Sequence, residues 1–321
     1  MDNNQSSVGL TPRDNSDKYG VFVNPFVDEG FKIIFGQEEH KDILINVLNI
    51  IFADEVVFKD ITYIDKEIPR GLQSKRGIVF DLLCETDKGE KVLVEMQNKR
   101  QSFFEQRAAY YIASALARQG KAGDEWHYDI KRVYGVFFLN FNLPGRTPRL
   151  RVDLEKRDRH TGEVFDDYMR MTYIMFPQMK YKSIDECKDN FERIIFILKN
   201  MKTMDYIPGK EHLPIIEKLE KAARLGVLTE GERLAYDRAV DAYRVEQDAW
   251  QTAIEEGREE GREIGREIGR EEGREEGREI GREEGRQQEK LEMARKLKAL
   301  GVTIKDIISA SGLSETVVIS L

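Results

Sequence analysis

Asp81 and the triplet Glu95-Met96-Gln97 carry oxygen donors suited to a hard cation, and their spacing sets them face to face across a hairpin. Residues 78–86 (IVFDLLCET) and 91–97 (KVLVEMQ) are apolar and β-prone. Between them Asp87-Lys88-Gly89 forms a short loop, with glycine where a left-handed conformation is needed. Pairing Thr86 with Glu90 then puts Asp81 directly opposite Glu95. Directly opposed residues lie about 5 Å apart at Cβ, and like charges there destabilise a sheet. Two carboxylates so placed in an apolar hairpin call for a cation. Gln97, two residues beyond Glu95, shares its face. Phe80, Leu82, Cys84, Leu93 and Val94 or Met96 are assigned to the alternate face, and their apolar density favours a buried sheet over a solvated edge.

Two carboxylates with a polar neighbour suit Mg²⁺, or the related Mn²⁺ or Ca²⁺, which bind through oxygen and keep several waters. Such an ion polarises a phosphodiester and lowers the pKa of water. Gln97 can orient a water but brings no positive charge. Arg107 or Lys99 would make up the deficit, as would a second metal. Asp28, in a predicted first helix, is a further carboxylate within reach of the same cleft.

The elements that must position these groups follow from periodicity. Residues 28–35 and 38–52 read as helices, with Ile43, Leu44, Val47, Leu48 and Ile51 at helical spacing. Residues 61–68 read as a strand, followed by a loop over 69–77 and then the hairpin. Residues 102–119 read as a helix, with Ser102 as N-cap and Glu105 completing a capping box. Residues 133–140 (VYGVFFLN) form a continuous apolar run, typical of a buried strand. This order predicts an α/β arrangement with the hairpin at its centre. The tract 144–151 reads as loop and 168–176 as a further strand. Apolar stripes over 186–201, 213–225 and 229–250 predict a helical extension.

The chain of 321 residues has room for one large or two modest domains. The expected division is a disordered stretch 1–20, an α/β domain 21–182, a helical extension 183–254, a charged spacer 255–288 and a small helical module 289–321. No run reaches the roughly 20 apolar residues of a membrane span, and the polar N-terminus has no signal-peptide core. Cys84 and Cys187 alone give no disulfide framework, so a reducing cytoplasm is the expected setting. Four scattered histidines argue against zinc and against histidine-based catalysis.

The net charge of −8 does not announce a nucleic-acid binder, yet the basic groups are clustered. They include Lys99-Arg100, Arg107, Arg118 with Lys121, and Arg146, Arg149 and Arg151. Glycine recurs at every fourth position from Gly257 to Gly285 in a Gly-Arg-Glu-Glu/Ile repeat. Interior glycine costs a helix about 1 kcal/mol relative to alanine. A four-residue period drifts about 40° per repeat, so no straight seam forms. A water-exposed helical spacer is the favoured reading, with a self-pairing helix as the other. Gly312 between two short apolar segments resembles a helix-turn-helix unit. Residues 314–321 hold no Lys or Arg, which favours a packing or oligomerisation module over a DNA reader.

Taken together, Asp28-x-x-Phe31-Lys32-x-x-Phe35, Asp81, Glu95-Met96-Gln97 and Arg107-x-x-x-Tyr111 resemble the recombination-promoting nuclease (Rpn)/transposase branch of the PD-(D/E)XK nuclease superfamily. The Gly-Arg-Glu-Glu tract and the terminal Gly-Leu-Ser segment look like the tails of that branch. The resemblance spans residues 22–321 and is densest over 24–140. It implies a restriction-endonuclease-like mixed sheet flanked by helices, and a metal-dependent DNA endonuclease linked to recombination, mobile elements or phage defence. On the family pattern Asp81 and Glu95 bind metal and Gln97 takes the place of the usual lysine. Arg107 and Tyr111 would line the cleft, with Asp28 and Lys32 contributing from the first helix. DNA is the implied partner and no membrane is involved; a homo-oligomer is left open. The competing expectation is a catalytically degenerate protein that binds DNA or assembles with itself.

Overall fold

The computed structural model describes residues 20–53, 55–64, 67–68, 78–79, 81–121 and 127–321. The expected disordered N-terminus and Phe80 therefore lie outside the described residues, apart from Gly20. Contacts divide the chain into two compact units, Met1–Tyr243 and Arg244–Leu321.

The first unit is built on a mixed sheet. Its strands are β1 (Ile61–Tyr63), β4 (Leu82–Thr86), β5 (Lys91–Gln97), β6 (Val133–Leu139), β7 (Arg151–Arg157) and β8 (Val164–Met175), in the order β1-β4-β5-β6-β8-β7. β5, β6 and β8 run parallel, and the other pairings are antiparallel. The short strands β2 (Glu67–Ile68) and β3 (Ile78–Val79) pair separately. The expected strand over 61–68 is thus two short ones.

Strand parity assigns the sheet's two faces. Leu82, Cys84, Val92, Val94, Tyr134, Val136 and Ile174 enter the larger core. There they meet α1 (Asp28–Phe35), α2 (Lys41–Ile51), α4 (Asn190–Asn200) and α5 (Ile215–Ala223). Each of these helices is amphipathic; α1 buries Phe31, Ile34 and Phe35. Leu83, Leu93, Phe137, Tyr173 and Met175 line the other face. That face is covered by α3 (Phe104–Ala117) through Phe104, Ala108, Ile112 and Ala115. This is the α/β sheet flanked by helices that the sequence predicts. Leu93 falls on the same face as Glu95, not on the alternate one, because residues two apart in a strand share a side.

Two glycines fix the parts that matter for the site. Gly89 has φ +76°, the left-handed turn residue that closes the β4–β5 hairpin, and Thr86 N–H donates to Glu90 O at 2.9 Å. Gly135 on β6 makes room for α3. A Cβ there would lie 2.6 Å from Ile112 Cδ1 and 2.7 Å from the Phe137 ring. Its absence lets α3 pack down on the sheet.

Two local expectations are corrected. α3 starts at Phe104 with Phe103 at the N-cap and no side-chain cap bond, so the Ser102/Glu105 capping box does not form. Glu105 instead accepts from Arg146 Nε at 3.1 Å. Residues 151–157 form β7 rather than ending a loop. As an edge strand it exposes Asp153, Lys156 and Arg157, and a bulge near Leu154 breaks its alternation. The helical stretch read over 229–250 continues with the spacer as one helix, α6 (Glu230–Ala299). That helix runs through the expected boundaries at 254/255 and 288/289.

In the second unit the glycine tract is helical and exposed throughout. Its end packs against α7 (Ile304–Ser311) and α8 (Glu315–Ser320). Leu291, Ala294, Leu297, Ile307, Leu313 and Val318 share one small core, and Gly312 caps α7 in the left-handed conformation.

Candidate functional site

The hairpin register is Leu82↔Val94, Leu83↔Leu93, Cys84↔Val92 and Glu85↔Lys91. One more step sets Asp81 against Glu95, as read from the turn. Each acid also accepts from a backbone amide of the facing strand segment. Asp81 N–H donates to Glu95 Oε1 at 3.1 Å, and Met96 N–H donates to Asp81 Oδ2 at 2.8 Å. Among the described residues, the second oxygen of each carboxylate has no protein hydrogen-bond donor.

Glu95 is only 5% exposed. Burial is the main force pushing the Asp81 and Glu95 carboxyls above the ordinary carboxylate range. Asp81 raises Glu95 further, and Asp28 adds negative field to both, while Arg107 opposes the shift in each case. Lys32 also opposes it at Asp81, but Lys32 is ion-paired with Asp28 one turn away on α1. The first helix therefore contributes a nearly neutral couple.

Arg107 reaches the site from α3, the helix that covers the face carrying Asp81 and Glu95. Its terminal nitrogens donate to Gln97 Oε1 and Gln101 Oε1. The guanidinium lies 5.4 Å from the Phe104 ring centre and 5.7 Å from that of Tyr111. Its Nε is buried and has no hydrogen-bond partner. A buried unsatisfied donor costs about 1–3 kcal/mol. Tyr111 is half-buried, with its hydroxyl pushed up chiefly by burial and held back by Arg107. Gln97 Nε2 donates to Lys99 O at 3.1 Å, so Lys99 meets this network through its backbone carbonyl.

The arrangement therefore gathers Asp81, Glu95, Gln97, Arg107 and Tyr111, with the Asp28–Lys32 couple exerting its field from α1. Sequence reasoning missed Gln101 and Phe104, which hold the Arg107 guanidinium from its edge and face. Phe104 precedes Arg107 by three residues on a helix, a spacing that signals contact. Gln101 gives no such signal, because a loop brings it in.

The donor set fits a hard divalent cation. Two desolvated carboxylates stand opposed, each with an oxygen to spare, and Arg107 directs its hydrogen bonds to amides rather than to them. Among the described residues no group of three or more His, Cys, Asp or Glu side chains is gathered to hold a metal, so water or substrate oxygens would have to complete the shell. Among the described residues no helix is long and apolar enough to cross a membrane.

Comparison with known proteins adds an independent finding. The protein-family model described as PD-(D/E)XK nuclease family transposase matches residues 25–253. Searches of curated proteins and of solved structures gave no match. The matched span contains the hairpin, α1 and α3, and covers most of the chain: the protein belongs to the PD-(D/E)XK nuclease family transposases.

Proposed function

We propose that the protein is a metal-dependent DNA endonuclease whose centre is the Asp81–Glu95 pair. The observation that carries this reading is the pair itself: two desolvated, directly opposed acids with raised pKa values, beside an arginine with an unsatisfied buried Nε. Mg²⁺ is the favoured ion, with Mn²⁺ or Ca²⁺ as substitutes. When bound, such an ion supplies charge neutralisation of a phosphodiester and a lowered pKa for water.

The remaining work falls to side chains of this chain. Asp81 and Glu95 would hold the cation, and their clasp with the Asp81 and Met96 amides fixes the carboxylate planes. Arg107 would provide the positive charge that Gln97 lacks. Its guanidinium charge would attract a phosphate brought to the cation, and charge-assisted contacts of this kind are the strong ones. Gln97 then acts as a positioning residue for the guanidinium. Phe104 and Tyr111 confine Arg107 from the sides. Roles in recombination, mobile elements or phage defence rest on family resemblance alone.

One observation favours a second reading. With only two acids gathered among the described residues, the site would suit a degenerate family member that binds DNA or assembles without cutting it. Plasmid nicking by the purified protein separates the two. The endonuclease reading expects nicking with Mg²⁺ or Mn²⁺ that chelation abolishes. The absence of nicking with any divalent ion favours the second.

A further inference from the structure

The flank of α3 beside the candidate centre carries two aromatic rings turned to solvent. Phe103 is 73% exposed and Tyr110 is 51% exposed. Single exposed aromatics are ordinary, so this pair counts through its place beside the candidate centre. Their direction is set by helix geometry at about 100° per residue. With Phe104, Ala108, Ile112 and Ala115 facing inward, Tyr111, Arg107, Phe103 and Tyr110 follow in that order around one flank. The other flank, with Glu105 and Ala109, borders a separate cavity beside β7 and β8. Phe103 and Tyr110 thus continue outward from Arg107, on its own side of the helix. Only one of the two adjacent tyrosines turns inward, and it is Tyr111.

The chain leading into this flank is basic. Lys99-Arg100 precedes Phe103 by a few residues, and Arg100 is exposed. Aromatic faces beside positive charge match the two surfaces of a nucleic-acid strand, its bases and its phosphates. Phe103 and Tyr110 are separated along the helix by about 10 Å, from a rise of about 1.5 Å per residue, so each would serve a different base. A base inside an intact duplex has both faces covered by its neighbours. Only an unpaired or splayed base can offer a face to an exposed ring.

We infer that Phe103 and Tyr110 form a stacking platform for unpaired bases, so that the preferred substrate is a DNA strand single-stranded beside the cleavage position. This deepens the endonuclease reading and rests on it for the cutting step; the platform itself is tested by binding.

The test is fluorescence anisotropy of the full-length protein in EDTA, with a labelled single-stranded oligonucleotide and the blunt duplex of the same sequence. Wild-type protein should hold the single strand more tightly. Phe103→Ala and Tyr110→Ala should each weaken the single strand about 5-fold or more, with the duplex changed less than about 2-fold. Phe103→Trp should restore single-strand binding. Both side chains are exposed, so matching circular dichroism and thermal midpoints should show the fold intact. Equal affinity of wild type for strand and duplex overturns the inference. So does unchanged single-strand binding in both alanine variants, or an equal loss on both oligonucleotides. If binding follows the prediction while no metal supports cleavage, the platform stands and the endonuclease reading falls.

Discussion

The two ends of the β4–β5 hairpin use the same register and the same face for opposite purposes. Near the turn, Glu85 lies opposite Lys91, and the two form an ion pair. Four residues along each strand, at the open end, Asp81 lies opposite Glu95. There the pair is acid against acid, held by backbone amides and pushed toward the protonated form. One end is locally satisfied, while the other is consistent only if a further positive charge arrives. Such a conflict within an otherwise consistent element is where function is expected, because a fold retains local repulsion only when something offsets it.

The largest way to break this comparison is to treat both ends alike. Asp81→Ala and Glu95→Ala should each lower plasmid nicking about 1,000-fold or more, since several kcal/mol of transition-state stabilisation go with a bound cation. Glu85→Ala and Lys91→Ala should leave nicking within about 3-fold and cost about 1 kcal/mol of stability or less, as half-exposed pairs do. Equal losses at both ends would remove the distinction.

A second, smaller effect concerns how the open end is completed. Arg107→Ala should reduce kcat about 100-fold by removing positive charge beside the developing negative charge. Gln97→Ala should cost about 10-fold, since it positions Arg107 without replacing it. A Gln97→Ala loss larger than that of Arg107→Ala would reverse the assigned roles.

The open end should also leave a pH signature in metal-free protein. Both acids have folded-state pKa values above their unfolded values, so the native state binds more protons than the unfolded chain above the ordinary carboxylate range. Stability should therefore fall as pH rises through that window, from about pH 5 towards about pH 8. The combined variant Asp81→Asn, Glu95→Gln should flatten the slope of thermal midpoint against pH. A slope unchanged by those substitutions would place the buried charge elsewhere.

Much of this was legible in the sequence, and the reasons differ by element. The Asp81–Glu95 opposition follows from a period of two and a glycine turn, which leave no freedom in register. Phe31 and Phe35 of the family motif both fall on the buried side of α1, as their four-residue spacing requires. β7 was hidden because an exposed edge strand of charged residues reads as loop. Arg107's link to Gln97 needed the knowledge that α3 crosses the carboxylate face, which Gly135 permits from the neighbouring strand β6. Periodicity missed the single α6 helix because its interior glycines argue against one.

The smallest predicted effect lies in that helix. A Cβ at Gly269 would meet nothing within 4 Å, so Gly269→Ala should stabilise the helix by about 1 kcal/mol and leave nicking unchanged. Thermal unfolding followed at 222 nm checks it, and a loss of nicking would tie the tract to the site.

The most direct test of the central claim is calorimetric titration with Mn²⁺ of wild-type protein, Asp81→Ala, Glu95→Ala and Glu85→Ala. If the open end of the hairpin is a cation site, wild type and Glu85→Ala will bind with the same affinity, and Asp81→Ala and Glu95→Ala will lose binding. Unchanged binding in the last two would contradict it.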